Sequence, residues 1–522
     1  MTVFIVGMLL LAAGYVFYGK LTATAVHPDP NRPTPAIRLE DGVDYVPMPT
    51  WRVFLVQLLN IAGLGPVFGP IMGALWGPQV FLWIVFGAIL GGAVHDFMAG
   101  AMSIRNDGAG LPSLIGHYLG KFARHGATIF ILLLMVLVGT VFVKAPAALI
   151  IHLLPADMVF GWAGDDTVNT LNTLFYHTSL WQWIVSAIVF AYYLVATILP
   201  VDKLIGRVYP FFALALLVMV AGLAWSMIFG DMNAPRFTLA NLHPHHVPAW
   251  PIIFITVSCG AISGFHATQS PMMARCLSNE KYMKPVFYGA MIAEGFIALI
   301  WASAAQGYYG GVTGLATALG PNLNNAAVVV HTICMHSMGT FGGFLAVIGV
   351  IVLPITSGDT AFRVARLILG DYLRLPQARI RNRYMVALPL FAISILLMFL
   401  PFGVIWRYFG WANQTLAAVA LWTATVFLAR RGNRWWLAAI PATFMTVMTT
   451  TFILVQERSK GGIGMDHVIG TVIGLVLGAL ALGAFLWFRP RLEPESDEPA
   501  KDLHLPDELQ KTIEKNTDGV AC

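Results

Sequence analysis

Charge is sparse in this chain. Asp, Glu, Lys and Arg make up only 11% of its 522 residues, against roughly a quarter in ordinary globular domains, and 57% of the residues are hydrophobic. That balance excludes a soluble globular protein. The formal net charge of +5 does not mark a nucleic-acid footprint either, because the basic residues punctuate apolar runs. Cysteine is equally scarce: Cys259, Cys276, Cys334 and Cys522 are scattered without CxxC spacing, which argues against a disulfide framework or a structural zinc site. HExxH, GxSxG and the P-loop are all missing, so a zincin, a serine hydrolase of the nucleophile-elbow type and an ATP-driven pump within the chain are excluded. The histidines form no pairs at matched depth on facing helices, as a membrane haem would need. The expectation is a non-enzyme with no cofactor and no resident metal.

What remains is hydrophobic length. About 20 apolar residues are needed to cross about 30 Å of hydrocarbon. Runs of that kind lie near 2–19, 54–76, 79–104, 128–153, 181–199, 207–230, 252–275, 285–309, 340–362, 385–402, 411–429, 435–455 and 467–488, about 13 in all. The first has no positive n-region and reads as a retained helix, not a signal peptide. With the N-terminus outside, the segments counted as inside carry nearly all the Lys and Arg, including the basic loop 363–384, and the outside segments hold only Arg236, Arg407, Arg458 and Lys460. The loops 154–180 and 310–339 contain neither Lys nor Arg. Positive-inside bias therefore expects an outside N-terminus and a cytoplasmic C-terminus.

Two of the runs are interrupted by glycine and proline: GLGPVFGP at Gly63 to Pro70, and SCGAISGFHATQSP at Ser258 to Pro271. Lipid offers no partner to a freed amide, so such breaks persist only where they are buried or line a polar cavity. Each break opens a set of five spans, 54–230 and 252–429, and five being odd, the second set runs in the opposite sense. That is the layout of an inverted repeat with a binding site at its breaks, although no repeat of residue identity is visible. The remaining parts are an N-terminal span and loop (1–53), two peripheral spans (435–488) and a polar tail (489–522). Substrate contacts are expected at Gly63, Gly65, Gly69, Gly260, Ser263, Gly264 and His266, where unwound backbone exposes amides to an anion.

Few ionisable residues lie within the spans: His95, Asp96, Lys144, His266, Glu294 and Asp359. Each costs at least about 2.5–3.5 kcal/mol at a bilayer centre unless it faces protein or water. His266 sits inside the second break and suits substrate contact or proton transfer. Asp359 follows Thr356 and Ser357, which suits a proton relay or a sodium site, or else pairs with Arg363 at i+4. Glu294 reads as a second proton carrier; Asp96 reads as a partner of an inner-face Arg; Lys144 reads as a counter-ion or a substrate anchor. The HPHH run at His243 to His246 has no acidic or cysteine company and reads as a solvated loop.

Five collinear stretches carry a resemblance: PTPAIRLEDGVDYVP (Pro33 to Pro47), IAGLGPVFGP (Ile61 to Pro70), GAVHDFM (Gly92 to Met98), CGAISGFHA (Cys259 to Ala267) and PITSGDTAFRVARLI (Pro354 to Ile368). Together they resemble the carbon starvation protein A (CstA) family of inner-membrane transporters, from about Asn31 to past Arg383. The resemblance implies an all-α polytopic protein with a LeuT-like five-plus-five core, related to the amino acid–polyamine–organocation superfamily. It implies import of pyruvate or short peptides, coupled to protons or less readily to sodium, when carbon is scarce. The chain departs from the pattern at Val56-Gln57, where longer members carry a histidine pair, and at Thr268-Gln269-Ser270-Pro271, where they carry small hydroxyl residues. The expected partners are a small-molecule substrate, a coupling ion and the bilayer, with no nucleic acid. The rival readings are a membrane sensor whose tail docks a soluble partner, a sodium-coupled symporter of amino-acid-like solutes, and a channel.

Overall fold

The computed structural model describes residues 2–42, 44–153, 180–198, 201–232, 236–320, 326–375, 380–400, 402–432 and 434–494. Most of loop 154–180, most of the tail 489–522 and part of the basic loop 363–384 lie outside these. Among the described residues the chain is all-helical. Its main helices are α1 (Thr2–Thr24), α2 (Thr50–Ile61), α3 (Gly65–Trp76), α4 (Val80–Arg105), α5 (Lys121–Leu153), α6 (Leu180–Ile198), α7 (Val201–Phe229) and α8 (Ile252–Thr256). They continue with α9 (Gly264–Ala274), α10 (Glu280–Tyr308), α11 (Ala326–Val347), α12 (Leu353–Tyr372), α13 (Ile380–Leu397), α14 (Phe402–Arg430), α15 (Trp436–Val455) and α16 (His467–Phe488).

Among the described residues, ten helices are long and apolar enough to cross a membrane, and the bent pair α2–α3 makes eleven. The two expected spans beyond these are the shorter apolar helix Trp181–Thr197 and the segment split between α8 and α9. Gly339 takes φ 62° and ψ −149° inside α11, so the helix breaks there, next to the start at 340 expected for this span, and helix then continues through Ile348–Val352 into α12.

Both interruptions follow from local chemistry. The α2–α3 axis bends by 47° at Ala62 to Leu64. Pro66 has no N–H to offer the Ala62 carbonyl one turn back, so the ladder cannot continue. Between α8 and α9, Gly260 takes φ +90°, a conformation that only glycine adopts without strain.

Taking each broken helix as one member, the packing repeats when the two sets of five are exchanged. The first broken helix packs on α10, and the second packs on α4. α6 packs on both α5 and α12, and so does α13. α7 packs on the first broken helix, and α14 packs on the second. The most extensive contact joins the two third members, α5 and α12. Outside the two sets, α1 lies against α10, and α15 and α16 pack on each other beside α14.

Close backbone approach sets the tolerances of this packing. A Cβ on Gly264 would lie 2.3 Å from the Asn413 carbonyl oxygen and 2.5 Å from the Ala417 nitrogen, both backbone atoms of α14 that cannot turn aside. Gly264→Ala is expected to cost about 1–3 kcal/mol by overpacking and to lower the melting temperature and monodisperse yield in detergent. Gly126→Ala, where a Cβ would meet nothing within 4 Å, is expected to leave both unchanged.

Candidate functional site

The two breaks touch each other. A Cβ on Gly65 would lie 2.2 Å from Cys259 Cβ, and one on Gly69 would lie 2.9 Å from the Thr256 carbonyl oxygen. Gly65 is thus a glycine because the Cys259 side chain fills the place of its Cβ, and Gly69 because the main chain of the second break does, as α14 does for Gly264.

Around this contact is a buried polar chain. The Asp96 carboxylate accepts from His266 Nδ1 through Oδ2 at 3.0 Å, and Asp96 Oδ1 lies 2.8 Å from His95 Nδ1. On its other side, His266 Nε2 stands 3.6 Å from Glu294 Oε2. All four side chains are essentially inaccessible to solvent. Two carboxylates and two imidazoles therefore share one enclosed volume, supplied by α4, α9 and α10. Removed from water, carboxylates need hydrogen bonds or opposite charge, and here the imidazoles provide them.

The second break is wired to its surroundings by side chains. The Gly260 N–H donates to Glu294 Oε1 at 3.1 Å, and the Phe265 N–H donates to Asn413 Oδ1 at 2.7 Å. Gln414 Nε2 donates to the Ile262 carbonyl at 2.8 Å, and Trp83 Nε1 to the Val257 carbonyl at 2.9 Å. Asn413 Nδ2 also donates to Ser263 Oγ at 2.9 Å. The sequence reading offers these amides to an anion; the fold gives two of them, at Gly260 and Phe265, to protein oxygens. At the first break the amides of Leu64 and Gly65, which open α3, have no hydrogen-bond partner among the described residues. One turn earlier Asn60 is fully buried with both side-chain polar atoms unpartnered.

A second polar group lies on α12. Asp359 Oδ2 accepts from the Tyr209 hydroxyl at 2.7 Å, and Tyr209 also reaches the Thr356 carbonyl at 3.1 Å. Asp359 Oδ1 and Ser357 Oγ are buried and unpartnered. A Cβ on Gly63 would lie 3.0 Å from Ser357 Oγ, so the first break borders this group too. Thr356 Oγ1 donates to its own helix, at Leu353 O.

At the Arg-rich end, the segment between α1 and α2 is strapped across the helix ends. The Val46 and Met48 N–H groups donate to the Arg275 and Cys276 carbonyls at 3.2 and 3.0 Å, and Met48 pairs with Leu277 in a parallel bridge. The Tyr45 hydroxyl donates to the Asp107 carbonyl at 2.9 Å, with the Arg275 guanidinium 5.0 Å above its ring. Burial pushes the Tyr45 phenol up to about 12, so it stays a donor. Arg105 pairs with Glu280 at 3.0 Å, and Glu280 also accepts the Asp29 N–H at 2.8 Å.

A family model described as carbon starvation protein CstA matches residues 1–163, 143–338 and 303–452. The chain belongs to the CstA family. Among relatives, an uncharacterized membrane protein of Haemophilus influenzae is 43% identical over 332 residues, 58% of this chain and 89% of the relative. The peptide transporter CstA of Bacillus subtilis is 28% identical over 600 residues, covering 95% of this chain and 99% of that one. The pyruvate/proton symporter BtsT of Escherichia coli is 28% identical over 336 residues, 56% of this chain and 47% of that one. This CstA-family chain is thus a multi-pass membrane protein whose named relatives are transporters.

Three sequence readings change in the CstA-family structure. Asp96 pairs with His266 and His95, not with an inner-face Arg. Lys144 Nζ donates to the Met398 and Leu400 carbonyls at 2.8 and 2.6 Å, where it caps the end of α13. In the HPHH run, His243 is buried with its ring 4.4 Å from that of Trp76, while His245 and His246 are exposed. Burial, and then the charges of His245 and His246, push His243 down to about 4. A detached loop takes up a proton near 6.5 whereas the docked ring resists it to about 4, so the stabilisation by docking is lost as pH falls through that window. The stability of wild type relative to His243→Phe, read from thermal melts, is expected to fall between about pH 7 and pH 4. A constant difference would show that His243 is not docked as neutral imidazole.

Proposed function

We propose that the chain is a secondary active importer of a small carboxylate-bearing metabolite, pyruvate first and short peptides second, coupled to protons. The observation that carries this is the enclosed Asp96–His266–Glu294 chain lying against the contact of the two breaks. A carboxylate docking on the amides of Leu64 and Gly65 meets the positive end of α3. Asp96 and Glu294 oppose it by like charge, and a like charge at about 6 Å would cost about 3 kcal/mol at an effective dielectric of about 20. A proton taken up by the imidazole–carboxylate chain removes that cost, so anion and proton bind together. Glu294 and His266 are the proton carriers in this reading. Asp359, with Thr356 and Ser357, is a second cation-binding group beside Gly63.

The contact symmetry supports an inverted repeat with the boundaries read from sequence, 54–230 and 252–429. Positive-inside bias supports an inner-membrane protein with its N-terminus outside and its C-terminus cytoplasmic. In that orientation the strap closes the cytoplasmic side, and alternating access requires it to part from Arg275 to Leu277. The names of the relatives support both substrate classes, and a competition experiment separates them. Unlabelled pyruvate is expected to block labelled pyruvate uptake into proteoliposomes more strongly than a dipeptide does. The reverse order would assign the site to peptides and make Gln57, bonded to Ser270 at 3.4 Å, part of the specificity change.

A further inference from the structure

We propose that Cys259, His266 and Glu294 form a binding site for a divalent transition-metal ion of borderline softness, zinc above all, and that the bound ion arrests the transport cycle. The three residues are buried, and one ligand atom from each lies within 4.8 Å of the others. Two polar atoms of this group have no hydrogen-bond partner: His266 Nε2 and Glu294 Oε2. Buried polar atoms without partners are rare and call for an explanation. Their separation is 3.6 Å, close to the roughly 3.3 Å edge of a tetrahedron with bonds of about 2.0–2.1 Å.

The surroundings complete the pattern. His266 presents Nε2 to the site because Nδ1 is engaged by Asp96, the carboxylate–imidazole arrangement that orients metal-binding histidines. Glu294 presents Oε2 because Oε1 holds the Gly260 amide. Cys259 is a free thiol. A sulfur, a nitrogen and an oxygen make a set that favours zinc or cobalt over magnesium or calcium. Three protein ligands leave a fourth position for water or a solute carboxylate. Cys259 and His266 flank the second break and Glu294 belongs to α10, so an ion bound to all three pins the unwound segment to a neighbouring helix. If the break must move for the site to open, the pinned form cannot cycle.

Tag-free protein in detergent is titrated with Co²⁺, and the thiolate-to-cobalt charge-transfer absorption is recorded. One equivalent is expected to produce the band, and excess Zn²⁺ to abolish it. Cys259→Ser is expected to remove the band, and Glu294→Gln to weaken cobalt binding by tenfold or more. Histidines of the 243–246 run give no thiolate band, so surface binding is distinguished. In proteoliposomes Zn²⁺ is expected to inhibit wild-type uptake reversibly by chelator, whatever solute is carried. Folded wild-type protein that transports but shows no thiolate band, or a band that persists in Cys259→Ser, overturns the site. A band with uptake unaffected by saturating Zn²⁺ overturns the arrest. Because the absorption needs no transported solute, the site is tested apart from the pyruvate or peptide reading, and the arrest is tested with whichever of the two solutes the protein takes up.

Discussion

Proteoliposomes carrying His266→Ala are expected to accumulate no labelled pyruvate under an inward proton gradient, a fall of at least about 100-fold from wild type. The substitution removes the imidazole that stands between Asp96 and Glu294 and leaves two buried carboxylates without their shared partner. Breaking a buried charge pair on one side costs about 3–5 kcal/mol, which is a factor of about 10² to several times 10³ in the population of the competent state. Asp96→Asn tests the same chain more gently, since the amide still hydrogen-bonds to His266 but carries no charge. It is expected to keep exchange of solute across the membrane while losing accumulation driven by the gradient. Both variants should be monodisperse before they are assayed. Full gradient-driven accumulation by either would show that this chain does not carry the coupling proton.

Tying down the strap is expected to have an effect of similar size. Met48 and Leu277 are bridge partners, and both are buried. Cysteines are placed at these two positions, which face each other as bridge partners, with Cys276 and Cys522 replaced by serine, and are joined by oxidation. Oxidation is expected to lower uptake at least tenfold, and dithiothreitol to restore it. The comparison is internal, because one preparation is assayed oxidised and reduced. If the disulfide forms quantitatively and uptake continues, the strap stays closed throughout the cycle and the cytoplasmic opening lies elsewhere.

The hydrophobic spans were legible because lipid imposes a length and an apolar composition on each crossing segment. The breaks were legible because Pro66 and Gly260 forbid regular helix on local grounds. The partners of the breaks were not legible. Asp96 and His266 are 170 positions apart, and Asn413 and Phe265 are 148 apart. Nothing in periodicity or spacing foretells which buried side chain meets which across that distance. For the same reason Asn413 and Gln414 drew no attention, although together they hold an amide and a carbonyl of the second break. Sequence reading treated exposed amides as free for an anion, and the fold shows that Glu294 and Asn413 already occupy two of them. Lys144 carries a similar lesson: a lone intramembrane cation reads as a functional group, but here the open carbonyls at the end of α13 bind it.

The central claim is that solute and proton move together through the Asp96–His266–Glu294 chain. It is tested most directly by following internal pH in proteoliposomes as pyruvate is added outside, with wild type beside Glu294→Gln. The account predicts that wild-type vesicles acidify in step with pyruvate uptake and that Glu294→Gln vesicles do not. Pyruvate uptake with no proton influx in wild type, or equal acidification in the variant, would contradict it.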